Sequence, residues 1–289
     1  MAKILITGAN GGFGNLTVVE LISAGHEVAA SMRDISNRNK ANADQLSKLG
    51  AKVVDLDVTD DSSVQKGVED AVSKLGGLDI VINNAGLGVI GMQEQFTADD
   101  WQKVFDINVF GVQRVTRASL PYLRKNGKGL LIYISSLLGR FVMPFYGPYN
   151  SSKWALEAMA ENYRVELSGF GIETCIVEPG GFATSFFSSL LKPSDNSRDS
   201  EYGEYNNAPE AMAEGFGQAL ASNPEQKPEL VAQAILNLVE TEHGSRKFRT
   251  EVDKMGMGEA LSNYNDSLES IMQNMYKAYQ IDNMLKVKK

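Results

Sequence analysis

Tyr149 and Lys153 stand four residues apart in the run Tyr149-Asn150-Ser151-Ser152-Lys153. On a helix that spacing puts both side chains on one face, one turn apart. A phenol titrates near about pH 10 and is a poor proton donor or acceptor in neutral water. An ammonium held beside it favours the phenolate and makes the pair useful for acid–base work. Alone the pair is weak evidence, because Tyr and Lys meet at this spacing in many helices.

A second stretch strengthens it. Thr7-Gly8-Ala9-Asn10-Gly11-Gly12-Phe13-Gly14 ends the short apolar run Ile4-Leu5-Ile6 and precedes a segment with Val18, Val19, Leu21 and Ile22 on one side. Strand, glycine-rich turn and helix, in that order, is the context in which backbone amides hold phosphates. Gly8 allows the tight turn, Gly12 lets the backbone approach a pyrophosphate, and Gly14 lets helix and strand pack closely. The helix N-terminus adds free N–H groups and the positive end of its dipole.

Other residues stand where chemistry could use them. Asp106-Ile107-Asn108-Val109-Phe110-Gly111 lies inside a predicted helix over 98–124. Asn and Gly are locally unfavourable there, which marks either a functional site or a kink with an inward Asn. Ser135 and Ser136 end the apolar strand Leu130-Leu131-Ile132-Tyr133-Ile134, and ligands of open α/β sheets bind at such strand ends. Tyr146, seven residues before Lys153, is a second phenol within reach. The two histidines, His26 and His243, are far apart and read as surface residues. They leave little for a metal site or a Ser-His-Asp triad. The single cysteine, Cys175, sits in an apolar run and reads as a buried thiol with no partner for a disulfide.

Composition narrows the class. The chain has 289 residues, 43% hydrophobic and 22% charged, which suits a soluble globular α/β protein. A net charge of −8 argues against nucleic acid as the main partner. Met1-Ala2-Lys3-Ile4 leads directly into an apolar run without the pattern of a signal peptide. No apolar stretch reaches the about 18 residues of a membrane span, so a cytoplasmic location is expected.

Strand and helix patterns alternate along the chain. Strands are predicted at Glu27-Val28-Ala29-Ala30-Ser31, at 51–56, at Leu78-Asp79-Ile80-Val81-Ile82 and at Glu173-Thr174-Cys175-Ile176-Val177, with a last one near Lys247-Phe248-Arg249-Thr250. Asn83-Asn84-Ala85-Gly86 follows the fourth strand, where small residues leave room for a ligand and Asn side chains can tie neighbouring backbone together. Residues 182–225 open with Phe186-Phe187 and Leu190-Leu191, then turn to Ser, Asp, Asn, Gly and Tyr. They read as a mobile lid or as a surface excursion that touches no substrate. The pattern predicts a doubly wound, mainly parallel α/β sheet of Rossmann type over 1–255, with 182–225 as lid and a helical extension over 256–289. That tail either covers the pocket, forms a dimer contact or decorates the fold.

TGxxxGxG, NNAG and YxxxK together resemble the classical short-chain dehydrogenase/reductase family, from about residue 3 to about 185 and more loosely to about 250. The resemblance implies an oxidoreductase that interconverts a carbonyl and an alcohol, with Tyr149 as acid and base. It implies that Ser136, thirteen residues before Tyr149, holds the carbonyl oxygen, with Ser135 as the less fitting neighbour. Lys153 would lower the phenol's pKa and contact the nicotinamide ribose, and Asn108 would anchor a water in a proton relay. Tyr146 resembles the phenol of the related enoyl reductases in its spacing to Lys153, but their glycine motif differs from this one. No metal is implied.

For the cofactor, the resemblance implies phosphate contacts from Gly8, Asn10, Gly12, Phe13 and Gly14, and an adenine contact from Asp57 beside Val58. Asp57 also reads as part of a helix N-cap region with Thr59 and Asp60. Asn84, Ala85 and Gly86 would line the cofactor, and Pro179, Gly180 and Thr184 would stand near the carboxamide. In dinucleotide folds an acid at the end of the second strand takes the ribose of NAD, and a nearby Arg suits the 2′-phosphate of NADP. That position falls on Met32, with Arg33 next, which favours NADP(H). Asp34 keeps NAD(H) possible, and Arg38 is a second phosphate contact or a solvated charge. Phe141, Met143, Tyr146, Phe182, Phe186 and Phe187 suggest an apolar pocket for a bulky ketone, steroid-like or retinoid-like. Family members usually pair as homodimers or homotetramers through their long helices. The other readings are an NAD-dependent alcohol dehydrogenase of the same family, a non-catalytic dinucleotide-sensing protein, and an epimerase or dehydratase of the extended relatives.

Overall fold

The inner strands are short and mainly apolar on both faces, which suits strands covered by helices on either side. In the computed structural model, which describes residues 1–288, the strands are β1 Lys3–Ile6, β2 Glu27–Met32, β3 Lys52–Asp55, β4 Ile80–Asn83, β5 Gly129–Ile134, β6 Ile172–Pro179 and β7 Arg249–Val252. They form one parallel sheet in the order β3-β2-β1-β4-β5-β6-β7. The helices are α1 Gly12–Ser23, α2 Lys40–Lys48, α3 Asp61–Leu75, α4 Ala98–Phe105, α5 Val112–Asn126, α6 Gly147–Ser168, α7 Asp199–Tyr202, α8 Ala208–Ala221, α9 Glu229–Glu240 and α10 Gly258–Ala278. The fourth strand starts two residues later than the pattern suggests, and the last strand is shifted in the same direction.

Successive strand residues point to opposite faces and build two cores. Ile4, Ile6, Val28, Ile82 and Val177 meet Val18 and Leu21 of α1, Leu46 of α2 and Ile235 of α9. Leu5, Val81, Leu131 and Ile176 meet Val64 of α3, Leu123 of α5 and Leu156 of α6. Each fully buried aliphatic side chain contributes about 1.5–3 kcal/mol. Cys175 is buried in the first of these cores. The strand order reverses between β1 and β4, and a crevice opens there at the carboxyl ends of the strands.

Two expectations need revision, and one segment gains detail. The helix over 98–124 is not continuous: Asp106–Gly111 forms a π-helical turn between α4 and α5. Asn108 lies in it, and a Cβ on Gly111 would come within 2.9 Å of the Val58 side chain. His26 is largely covered, its Nδ1 accepting the Ala2 N–H at 3.1 Å. The segment 182–225 is anchored near its start. Leu191 bridges to Val89, and the buried Asp100 accepts both the N–H and the hydroxyl of Ser194, at 3.1 and 2.7 Å. Burial pushes the Asp100 carboxyl up, but these bonds and those from Thr97 outweigh it and bring it down to about 2.

Among the described residues, no helix is long and apolar enough to cross a membrane.

Candidate active site

The carboxyl ends of the strands border one cleft of about 940 Å³, within the range of about 300–1,000 Å³ usual for ligand sites. One end of it is a cradle of backbone. Gly8 and Gly12 have φ of +67° and +50°, a region that favours glycine. A Cβ on Gly8 would stand 2.8 Å from Ala85 Cα, and one on Gly14 would meet the Gly8 carbonyl and stand 2.6 Å from Asn84 Nδ2. Asn84 Nδ2 donates to the carbonyls of Thr7 and Gly8 at 2.9 and 3.0 Å. Thr7 Oγ1 accepts the N–H groups of Asn84 and Ala85, both at 3.1 Å. The loops after β1 and β4 are thus stitched together.

Helix α1 begins at Gly12 with no side-chain cap and no acid in its first turn. Its first N–H groups meet no competing carboxylate, and a pyrophosphate fits them. Asn10 has a structural part in this cradle. Its Nδ2 donates to Asn39 Oδ1 at 3.3 Å, its carbonyl accepts from Asn42, and Asn39 Nδ2 donates to the Arg33 carbonyl at 2.6 Å. Asn39 and Asn42 escape sequence reasoning. The only signal for them is the run of asparagines where α2 begins.

Met32 closes β2, buried and paired with Asp55. Arg33 and Arg38 line the cleft, whereas Asp34 does not. Asp34 has φ +52°, and its carboxylate accepts Asn37 Nδ2 at 2.8 Å and the Arg38 N–H at 3.1 Å. Those bonds hold its carboxyl below the usual range and occupy it in its own turn. The capping work near α3 falls to Asp60, whose Oδ1 accepts the Ser63 N–H at 2.6 Å. Asp57 lines the cleft with Val58; its Oδ1 accepts from Thr59, and its Oδ2 lies 3.8 Å from Arg33. Burial pushes Asp57 up, but the Thr59 bonds and the charges of Arg33 and Arg114 pull it below the ordinary value.

Helix α6 carries Tyr149 and Lys153 to the middle of the cleft, both buried. Lys153 Nζ donates to the Ile134 carbonyl at 2.8 Å and lies 5.5 Å from the centre of the Tyr149 ring. Burial lowers Lys153 to about 8, with Glu157 pulling the other way. Tyr149 is pushed up to about 12 by burial and by nearby Tyr146, against a hydrogen bond with Ser136. In the protein alone the phenol is thus raised rather than lowered, with burial the leading cause.

Ser136 Oγ accepts the Leu138 N–H at 3.1 Å and faces Tyr149, while Ser135 Oγ sits against Gly139. The amide of Asn108 accepts the Leu87 N–H at 2.7 Å and donates to the Leu87 carbonyl and to Ser152 Oγ, both at 2.9 Å. Its amide protons are taken, and its direct effect is to hold the loop after β4 against α6. Gly86 lies between them, where a Cβ would stand 3.9 Å from Lys153 Nζ. Tyr146 also lines the cleft, and burial raises its phenol.

The remaining end of the cleft is apolar. Phe141, Met143, Phe186 and Phe187 line it, and the Phe186 ring lies 5.7 Å from that of Tyr149. Phe182 also borders it but is mainly a core residue, edge-on to Phe13 at 5.6 Å. Pro179, Gly180 and Thr184 line the cleft as well, and Thr184 stands beside Gly12 rather than apart from the phosphate cradle. Part of 182–225, from Phe182 to Ser189 and at Met212 and Phe216, therefore reaches the cleft. Met212 and Phe216 of α8 escape sequence reasoning, although their spacing of four marks one helix face.

Comparison with known proteins agrees with this geometry. A family model described as short chain dehydrogenase matches residues 2–194. The uncharacterised oxidoreductase YusZ of Bacillus subtilis is 38% identical over 214 residues, covering 70% of this chain and 73% of that protein. A 3-ketodihydrosphingosine reductase of Bacteroides thetaiotaomicron is 39% identical over 183 residues, 63% of this chain and 65% of its own. Among solved structures, a short-chain dehydrogenase from Streptomyces avermitilis aligns with a TM-score of 0.75 at 28% identity, over 97% of each chain. An alcohol dehydrogenase from Thermococcus sibiricus, complexed with 5-hydroxy-NADP, gives 0.68 at 25% identity, over 86% of this chain and 95% of that one. With a glycine cradle that fits a dinucleotide and a Tyr–Lys pair beside it, this chain belongs to the short-chain dehydrogenase/reductase family, as an NAD(P)-dependent oxidoreductase acting on CH–OH groups.

Proposed function

We propose that the protein is an NADP(H)-dependent reductase of a bulky, apolar carbonyl compound, with Tyr149 as the proton donor. One observation carries this reading: the buried Tyr149–Lys153 pair lies between a phosphate cradle and an apolar pocket, with Ser136 facing the phenol. A dinucleotide whose pyrophosphate the cradle would hold would supply the hydride to the carbonyl carbon, or take it back in the reverse direction.

The chain's own residues handle the rest. Ser136 donates a hydrogen bond to the carbonyl oxygen and fixes its place. Tyr149, pushed up to about 12, carries its proton throughout the neutral range and gives it to that oxygen. Lys153, at about 8, is charged at neutral pH and stabilises the phenolate left behind. Asn108 holds Leu87 and Ser152 in place around this pair. Phe141, Met143, Tyr146, Phe186 and Phe187 would exclude water from the substrate. A relative that carries a reductase's name agrees with the reductive direction.

Arg33 and Arg38 at the cleft, with Asp34 occupied elsewhere, support NADP(H) over NAD(H). A hydrogen bond to a charged partner contributes about 1.5–3 kcal/mol, or roughly 10–100-fold in affinity. Calorimetric titration should therefore find NADPH bound more tightly than NADH. Arg33→Ala should lose most of that preference while NADH binding changes little. Tighter binding of NADH would assign the ribose to Asp34 after all, and binding of neither would remove the enzymatic reading.

A further inference from the structure

Tyr149 and Lys153 belong to a longer stripe on α6, and its next member is Glu157, one turn below the lysine. Glu157 is 2% exposed and lies outside the cleft lining. Its Oε2 accepts Arg249 Nε of β7 at 3.0 Å. Arg249 Nε is also 3.4 Å from Glu178 of β6, which is 0% exposed, and the same guanidinium bonds Glu161. Arg140, after β5, donates to Asn265 Oδ1 at 2.9 Å and stands 3.9 Å from Glu178. Asn265 of α10 in turn donates to Glu178 and Glu251, both at 2.8 Å. Strands β6 and β7, the segment after β5, and helices α6 and α10 thus converge on one buried charged cluster.

Burying so many charges costs more than an apolar core of the same volume would. None of Glu157, Glu178, Arg249 and Asn265 lines the cleft, so the cluster does not hold substrate or cofactor. Its link to the chemistry runs through Lys153 and the end of β5. A Cβ on Gly139 would stand 2.7 Å from Ser135 Oγ and 3.3 Å from Glu157 Oε1, so the missing side chain lets Glu157 come up beneath Ser135. The residue before Ser135 is Ile134, whose carbonyl receives the Lys153 ammonium.

We infer that Glu157 is a positioning residue that holds Lys153 as a charged ammonium beside Tyr149, with Arg249 of β7 fixing its carboxylate. The inference rests on the proposed roles of Tyr149 and Lys153. Burial favours neutral carboxyls throughout the cluster. Burial raises Glu157 and Glu178 alike, and each raises the other's cost of ionising, while Arg249 pulls both back. At Glu157 the directly bonded Arg249 guanidinium and the nearby Ser135 hydroxyl oppose burial and favour the anion. From one turn below, it opposes the loss of the Lys153 proton that burial promotes. The groups facing Glu157 are Lys153 on its own helix, Arg249, Glu178, Arg140 and Ser135, with Glu161 and Glu251 at the edges of the cluster.

The test is the pH profile of NADPH-dependent ketone reduction in wild type, Glu157→Gln and Glu157→Asp, each first shown by calorimetry to bind NADPH. Without the anion, Lys153 loses its proton at lower pH. The alkaline limb of the Gln variant should therefore move down by about one pH unit. Asp keeps the charge but withdraws it by one methylene, so its limb should move the same way by less. A structural role alone would lower the rate at every pH and leave the limb where it was, which would overturn the inference. If the Gln variant does not fold, the Asp variant decides alone: a downward limb supports the role and an unmoved one rejects it. A wild type that binds NADPH but reduces no ketone would overturn the proposed function and this inference with it. An active wild type with unmoved limbs would overturn this inference only.

Discussion

Tyr149→Phe should lower the rate of carbonyl reduction by about 10²–10⁴-fold, the usual worth of a positioned general acid. Cofactor binding should weaken far less. Phe keeps the ring and its contact with Phe186, and removes only the hydroxyl bonded to Ser136. The wild-type rate should be level near neutrality and fall as pH rises through about 8. Lys153 is charged below that value and neutral above it, because burial has lowered it from the ordinary lysine range. Tyr149, at about 12, remains protonated throughout this window, so the fall reports the lysine and not the phenol. The residual activity of the Phe variant has no phenol for the ammonium to assist, and its profile should flatten there. Steady-state rates across pH check all of this. Near wild-type turnover in Tyr149→Phe would contradict it. A larger loss in Tyr146→Phe would move the acid to Tyr146.

Gly14→Ala should weaken NADPH binding by about tenfold or more and lower the melting temperature. In an exposed helix interior the same exchange stabilises by about 0.5–1 kcal/mol. Here the new methyl meets the Gly8 carbonyl, with Asn84 Nδ2 at 2.6 Å and Gly8 C at 3.0 Å. Backbone must move, at about 1–3 kcal/mol for overpacking, and the clash wins. The atoms displaced are those that stitch the β1 and β4 loops into the phosphate cradle. Gly215→Ala is the internal comparison. Gly215 lies within α8 with nothing within 4 Å of an added Cβ, so stability there should hold or rise. Calorimetry with NADPH and thermal unfolding of both variants read the two effects. Wild-type affinity in Gly14→Ala would mean that the glycine loop is not the phosphate site.

The parts of the site that were legible in sequence are those set by short spacing. Gly8, Gly12 and Gly14 share one turn, Tyr149 and Lys153 share one helix face, and Ser136 follows directly from an apolar strand. Local conflict also carried information: Asn108 and Gly111, poor helix residues, mark the π-helical turn. What sequence could not give was the balance between opposing effects. Spacing says that Lys153 is near Tyr149, but only packing says that burial raises the phenol. Asp57, Thr59 and Asp60 all stand where a cap could be until Ser63 is seen to donate to Asp60. Long-range placement was equally hidden. Arg140, Glu157, Glu178, Arg249 and Asn265 come from five separate stretches, and no periodicity links them. The strap from Ser194 to Asp100 spans 94 residues, so a polar stretch that read as a mobile lid is tied down at a point sequence does not reveal.

The most direct test of carbonyl reduction is a stoichiometric one. NADPH would be mixed with the protein and a series of apolar ketones, cyclic, aryl and long-chain, and loss of nicotinamide absorbance compared with alcohol formed. One alcohol per NADPH oxidised, dependent on the protein, is the result expected of a reductase whose acid is Tyr149. NADPH bound tightly but left unoxidised with every ketone would contradict it, and would leave a dinucleotide-binding protein that senses the cofactor without using it.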